Sequence, residues 1–381
     1  MEIKKIINQR FLEFLTLILF LVIPFTNVNH TSIYVILELI CVYGVVNYSK
    51  DKYDSVFILS FLWFFIWCIV VTLLSVNPSL SFKGLTSFIV PPLLLFGLAD
   101  CQSLKKINNK FLYCSMINLI LSGIFCCVEN HSYLGNYFLT FISYIGIDRK
   151  LSSTLCLCLI VFVLFFNDNE IHKIFIIVIN VIAGLIVMDK AFIFCLFVIS
   201  FLYLVLVVKK VRLIKVILGV IVTVILLKLI LVNCFKLNLH IIDRLSIYSY
   251  WLPKVLYSPF YGVGLTLKLQ SLFFNAKFPV SPQILAVDAN VKLHSHNYFL
   301  DLTLQAGFIG LILMLNFLYQ ISRHSYKLNN TYGLSTAFMI LAIFMKYMVD
   351  DQMEGSRGLI FWFFIVLTYV KVLNLGKHKL E

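Results

Sequence analysis

The chain has 381 residues, of which 61% are hydrophobic and 13% charged, with a mean hydropathy of +0.96. Soluble globular domains carry roughly 25% charged residues, so a water-soluble fold is excluded and a helical bundle in a bilayer is expected. The net charge of +13 gathers in segments between apolar runs, which marks it as an orientation signal meeting anionic lipid headgroups rather than a nucleic-acid face.

Apolar runs long enough to cross a hydrocarbon core of roughly 30 Å recur along the chain. In chain order they predict spans at Phe11–Phe25, Ser32–Asn47, Ser55–Val76, Gly84–Ala99, Phe111–Val128, Leu151–Phe166, Ile171–Met188, Ala191–Val208, Leu213–Cys234, Asn297–Ile321, Leu334–Val349 and Gly358–Val372. The predicted class is all-α: a polytopic membrane helix bundle of about 12 transmembrane helices. Prolines in the first and fourth spans (Pro24, Pro91, Pro92) are tolerated where neighbouring helices satisfy the freed backbone. The first span lacks a small-residue cleavage site and reads as a span rather than a removed signal.

Lysine and arginine placement orients the bundle. With the N-terminus inside, Lys4, Lys5 and Arg10, then Lys105, Lys106 and Lys110, then Lys209, Lys210, Arg212 and Lys215 all fall on the cytoplasmic side. The outside turns hold few cations: Lys83, Lys190, Arg357, and Arg149 with Lys150. Both termini are therefore expected inside. Three regions follow: residues 1–234 with the first nine spans, a long outside loop at 235–296, and residues 297–381 with the last three spans. The ten cysteines fall nearly all within spans, with no CxxC pair and no Cys/His metal spacing. They read as buried thiols, so neither disulfides nor a metal is expected.

The loop concentrates the polar residues. Arg244, Tyr248 and Trp251 are spaced i, i+4, i+7 and share one helical face. That face is either an interfacial helix anchored at the headgroups or a cationic, aromatic platform for an anionic, sugar-bearing ligand. Ser258-Pro259-Phe260-Tyr261-Gly262-Val263-Gly264 reads as a turn with two flexible glycines. Lys190 stands at the start of a span, where the helix dipole favours an anion or where the lysine simply pairs with Asp189. The loop ends in His294-Ser295-His296-Asn297, at the junction with a very apolar helix. The positive helix end opposes protonation of His296 and leaves a neutral imidazole able to accept a proton.

His296-Asn297, nine residues, then Gly307-Phe308-Ile309-Gly310 resembles the H-[NSQ]-x9-G-x-x-G signature of the O-antigen ligase and O-antigen polymerase superfamily. Arg244, Trp251 and Pro259–Gly264 resemble that family's R…W…P-x-x-G-x-G run entering its large periplasmic loop. Two positions depart: Gln305 stands where the family often has an acid, and Lys190 where it has an arginine.

The resemblance implies a bacterial inner (cytoplasmic) membrane enzyme, working on the periplasmic side, with the long loop carrying catalytic elements. It implies transfer of glycan from a polyprenyl-pyrophosphate-linked oligosaccharide donor to an acceptor, without a cofactor or metal. In that role Arg244 and Lys190 stabilise the diphosphate leaving group, and His296 deprotonates the attacking hydroxyl or hydrogen-bonds the phosphate. Trp251 and Tyr248 stack on sugars or anchor their helix, while His294, Asn297 and Arg357 are candidate substrate contacts. Polymerase is expected ahead of ligase, since nothing in the chain points to recognition of lipid A–core. A flippase is disfavoured, because mid-span ionisable residues are few (Glu13, Glu38, Lys228, Lys346) and the polar residues cluster outside. Membrane lipids and a chain-length regulator are the other expected partners; nucleic acid is not.

Overall fold

A computed structural model describes residues 39, 55–98, 114–120, 149–166, 169–186, 190–208, 247–266, 295–349 and 356–377 of the protein. Among these, every regular element is helical. In chain order they are α1 (Ser55–Leu73), α2 (Pro78–Leu98), α3 (Arg149–Phe166), α4 (Glu170–Ile186), α5 (Lys190–Tyr203, running into a π-helical turn Leu204–Val208), a 3-10 helix (Leu252–Tyr257), α6 (Tyr298–Leu328), α7 (Asn330–Val349) and α8 (Ser356–Lys377). By length and composition, Ser55–Leu73, Tyr298–Leu328 and Asn330–Met348 are long and apolar enough to cross a membrane. The expected spans Phe11–Phe25 and Leu213–Cys234 lie outside the described residues, as does Ser32–Asn47 apart from Leu39. Of Phe111–Val128, residues 114–120 are described and helical.

Asparagine sets where four helices begin. The Asn77 side chain accepts from the Leu80 N–H, and Asn169 from Ile171 and His172. Asn297 accepts from Leu300, and Asn329 from Thr331 and Tyr332. Each satisfies amides that the first turn leaves without intrahelical partners. The Asn77 cap, with Pro78 at the first helical position, explains why α2 starts at Pro78 rather than at the expected Gly84.

α8 is the axis of the bundle: from Trp362 to Val370 its side chains are at most 2% exposed. Around it the core is aromatic. The Phe317 ring lies 5.8, 5.4, 6.5 and 5.7 Å from the rings of Phe57, Phe61, Phe64 and Trp362. Further along, Tyr369 stacks on Phe57 and hydrogen-bonds His324 Nδ1 at 2.8 Å. Outer faces stay apolar: Ile171, Ile174, Phe175, Val178, Ile182 and Leu185 form an exposed stripe on α4. Such a face belongs against lipid.

α6 is broken. Gly307 has φ 70° and ψ −179°, dividing it into 298–306 and 308–328. The hydroxyls of Ser325 and Thr336 meet at 2.8 Å, and eight residues on from each, along antiparallel helices, lie Phe317 and Phe344. A straight α6 would carry Tyr298 about 28 Å beyond Phe317 at 1.5 Å per residue. Yet the Phe344 ring is 5.9 Å from that of Tyr298 and 5.2 Å from that of Phe299. Segment 298–306 therefore doubles back along the bundle and brings the head of α6 down to the level of the aromatic core. The single tenth span expected at Asn297–Ile321 is thus replaced by a short returning segment and a longer crossing one.

Phe317→Ala removes the ring at the centre of four aromatic contacts. A loss of about 3–5 kcal/mol is expected, read as a lower thermal unfolding midpoint of the solubilised protein beside an unshifted variant at the exposed Ile174.

Candidate functional site

Breaking a helix frees backbone groups, and here each one traced has a partner. The carbonyls of Leu304 and Gln305 accept the N–H groups of Val263 (2.9 Å) and Gly264 (3.1 Å). The carbonyl of Ala306 accepts the indole N–H of Trp67 at 2.9 Å. On the other side of the break, Phe308 N–H donates to the carbonyl of Pro259 (2.8 Å) and Ile309 N–H to that of Phe260 (3.4 Å). The segment Ser258–Thr266 thus fills the gap in the helix. Its far side is fixed to the turn between α1 and α2 and to α2 itself: Ser75 Oγ donates to Val263 O, and Leu265 N–H donates to Ser81 Oγ.

Two glycines make this fit possible. Gly307 has a positive φ, and a Cβ there would overlap the Phe260 carbonyl. Gly262, at φ 73°, would likewise overlap the Gln305 carbonyl. L-residues are strained at such φ values, and the close approach leaves no room to relax. Gln305 adds a side-chain bond, its Oε1 accepting from Thr266 N–H at 2.9 Å. An amide oxygen there supplies the acceptor that a carboxylate would supply.

The returning segment carries His296 at its head. His296 is 2% exposed and, among the described residues, is the non-glycine with positive φ, at 54°. Its neighbours hold that turn. Ser295 N–H donates to Asp301 Oδ1 (2.9 Å), Ser295 Oγ donates to Asn297 O (2.9 Å), and Asn297 Oδ1 caps Leu300. Asp301 reaches back one turn while Asn297 reaches forward, a reciprocal arrangement like a capping box. A buried imidazole in a rarely populated backbone state, fixed from both sides, is the kind of strain found at functional sites.

Trp251 is 1% exposed and packs with Ile247, Val255 and Leu304, with Leu300 against them. It seats the loop helix on the returning segment of α6. Tyr248, three residues before Trp251 in the helical run 247–251 that leads into the 3-10 helix, donates its hydroxyl to the Met348 carbonyl at 3.1 Å, at the end of α7. Sequence reasoning passed over Lys254. It is 3% exposed, donates Nζ to Tyr250 O at 3.0 Å, and lies over the Tyr250 ring and 4.7 Å from the Trp251 ring centre. Burial brings its amine down from 10.5 to about 8. Its i, i+3 and i, i+4 spacing from Trp251 and Tyr250 was the available signal.

Of the other candidates, Lys190 is the first residue of α5 and Arg357 the second of α8, while Arg244 and His294 lie outside the described residues. The structure joins His296, Asn297, Trp251 and Tyr248 through the returning segment and the end of α7. Trp67, Ser75, Ser81 and Asp301 complete the assembly; they carry no local motif, and only the fold reveals them.

Gly307→Ala is expected to destabilise the protein by several kcal/mol, since it adds strain and evicts the Phe260 carbonyl together. Proteolysis of the 258–266 segment in the purified variant would report it, with unchanged protection contradicting the fit. Lys254 has a pH signature. Because its folded value is lowered, the folded state holds fewer protons than the unfolded chain between about 8 and 10.5, so stability rises with pH there. Tyr250, pushed up from 10 by burial, opposes this only above its own ordinary value. Thermal midpoints rising from about pH 8 to just below 10, with the rise abolished in Lys254→Met, are the expected outcome.

Residues 137–315 match the family model described as O-antigen ligase. The match takes in Lys190, Arg244, the 258–264 turn and the whole of His296–Gly310, and stops short of α7 and α8. No curated protein matches the chain.

Proposed function

From the chain's place in the O-antigen ligase and polymerase superfamily, we propose that this membrane protein polymerises surface polysaccharide. It joins polyprenyl-pyrophosphate-linked oligosaccharide units by glycosyl transfer on the periplasmic side of the bacterial inner membrane, with both termini cytoplasmic. The observation that carries this reading is His296: buried, at positive φ, and fixed by Ser295, Asn297 and Asp301 at the head of a helix whose break matches the family's glycine pair.

In the reaction, the acceptor sugar hydroxyl attacks the anomeric carbon of the donor. The new C–O bond forms as the bond to the diphosphate breaks, the polyprenyl diphosphate departs with the electron pair, and His296 takes the hydroxyl proton. Negative charge grows on the leaving diphosphate, and cations fixed beforehand stabilise it more in the transition state than in the ground state. Arg244 and Lys190 are assigned that task. The enclosure of His296 keeps water from competing with the acceptor. Asn297 and Asp301 hold the turn. Trp251 fastens the loop to it, and Tyr248, His294 and Arg357 are assigned to the substrate's edge.

His296→Ala and Arg244→Ala are expected to reduce transfer by about 10²–10⁴-fold at unchanged membrane levels, leaving single-repeat glycan on gels of surface polysaccharide. Long polyprenyl-linked chains accumulating in either variant would identify a ligase instead. Lipid-linked units held on the cytoplasmic face would identify a transporter, and wild-type glycan would remove both residues from the chemistry.

A further inference from the structure

The segment from Leu252 to Tyr261 is built inside out for a loop in water. Its exposed residues are Leu252, Pro253, Leu256, Tyr257, Phe260 and Tyr261, with Leu256 at 79%. Its one charged residue, Lys254, is 3% exposed and lies against the Tyr250 and Trp251 rings. A lysine beside water ordinarily extends its amine into it, and a loop in water shows its polar groups. Contiguous apolar surface of this kind marks contact with an apolar partner.

The bonded neighbours of the segment identify that partner. Phe308 N–H donates to the Pro259 carbonyl and Ile309 N–H to that of Phe260. Phe260 therefore stands where the exposed stripe of α6 begins, and that stripe runs on through Phe308, Ile309, Ile312 and Leu315. A crossing helix turns such a face to lipid. On the far side of the segment, Val76 N–H donates to the Val263 carbonyl at 3.3 Å, and Leu73, Leu74 and Val76 are exposed there. Apolar surface thus continues from the segment along both of its neighbours.

Height in the bilayer follows from α6. Arg323 and Lys327 are exposed toward its other end and mark the opposite boundary. At 1.5 Å per residue, Phe308 lies about 22 Å from Arg323 and about 28 Å from Lys327. Both distances fall inside a hydrocarbon core of roughly 30 Å. The break in α6, and the Pro259 and Phe260 carbonyls bonded to it, therefore lie within the acyl layer or at its edge.

We infer that Leu252–Tyr261 is a wedge seated in the membrane. The 3-10 helix and the turn after it lie in the acyl layer of the leaflet on the side of the long loop, with Leu252, Leu256 and Phe260 among the chains. Tyr257 and Tyr261 supply the amphipathic rings favoured at that boundary. Trp251, the expected anchor, is turned to α6, and the opposite side of the loop meets lipid. Acyl chains then cover the segment whose carbonyls seal the break, whatever reaction the site performs.

The full-length protein carrying Leu252→Cys, Leu256→Cys or Phe260→Cys is labelled with a nitroxide in nanodiscs of phosphatidylethanolamine and phosphatidylglycerol. Protein without an added cysteine gives the blank. Relaxation by oxygen, which concentrates among acyl chains, is compared with relaxation by a water-soluble nickel chelate. Ile312→Cys on the α6 stripe and Glu170→Cys at the exposed start of α4 set the two limits. Labels at 252, 256 and 260 are expected to follow Ile312, with oxygen exceeding the chelate. The reverse order, as at Glu170, overturns the wedge. Labels shielded from both reagents, or coupled to the label of a second copy, place protein over the patch and overturn it as well. If one substitution prevents folding, the other two positions decide.

Discussion

The break at Gly307 is the constraint from which the rest of the site follows. An α-helix that stops and restarts within a bundle exposes carbonyls on one side and amides on the other, and in an apolar setting each costs free energy unless it is bonded. The segment 258–266 supplies partners on both sides, and Trp67 supplies another. Loop and helix are therefore one unit. With the break sealed, the first part of α6 can turn back among its neighbours, and His296 travels with it.

That arrangement explains how an imidazole comes to be both buried and fixed. The turn at His296 is strained, and a strained turn persists only where its surroundings determine it from several sides. Ser295 and Asn297 determine it locally, Asp301 from one turn along the helix, and Phe344 through its contacts with Tyr298 and Phe299. Trp251, packed on Leu304, ties the loop helix to the same segment. Lys254, buried beside this unit, is enclosed by Tyr250 and Trp251.

Local chemistry made much of this legible beforehand. Asn297 was placed at a helix start, and it is the cap; Gly262 and Gly264 were placed in a turn, and both have positive φ. Seven of the expected spans, in α1, α2, α3, α4, α5, α7 and α8, coincide with helices to within a few residues at most ends, because apolar length is written directly in composition. Other features were not legible. A sequence window does not distinguish a helix that crosses from one that doubles back, since residues 298–306 run without interruption into the strongly apolar stretch that follows Gly307. Trp251 looked like a surface anchor or a stacking platform, and burial against Leu304 depends on a partner fifty residues away. Gln305 looked like a departure from a motif, and its amide proves to be an acceptor for Thr266.

The sequence by itself determined the helical, membrane-embedded class, the cap at Asn297, and the turn at Gly262 and Gly264. Those are properties of short windows: hydrophobic length, an asparagine before a turn, a residue without a Cβ. Tertiary structure decided which freed carbonyl meets which amide, how far His296 is carried into the bundle, and what encloses Lys254. Those depend on groups far apart in the chain, and only packing brings them within bonding distance.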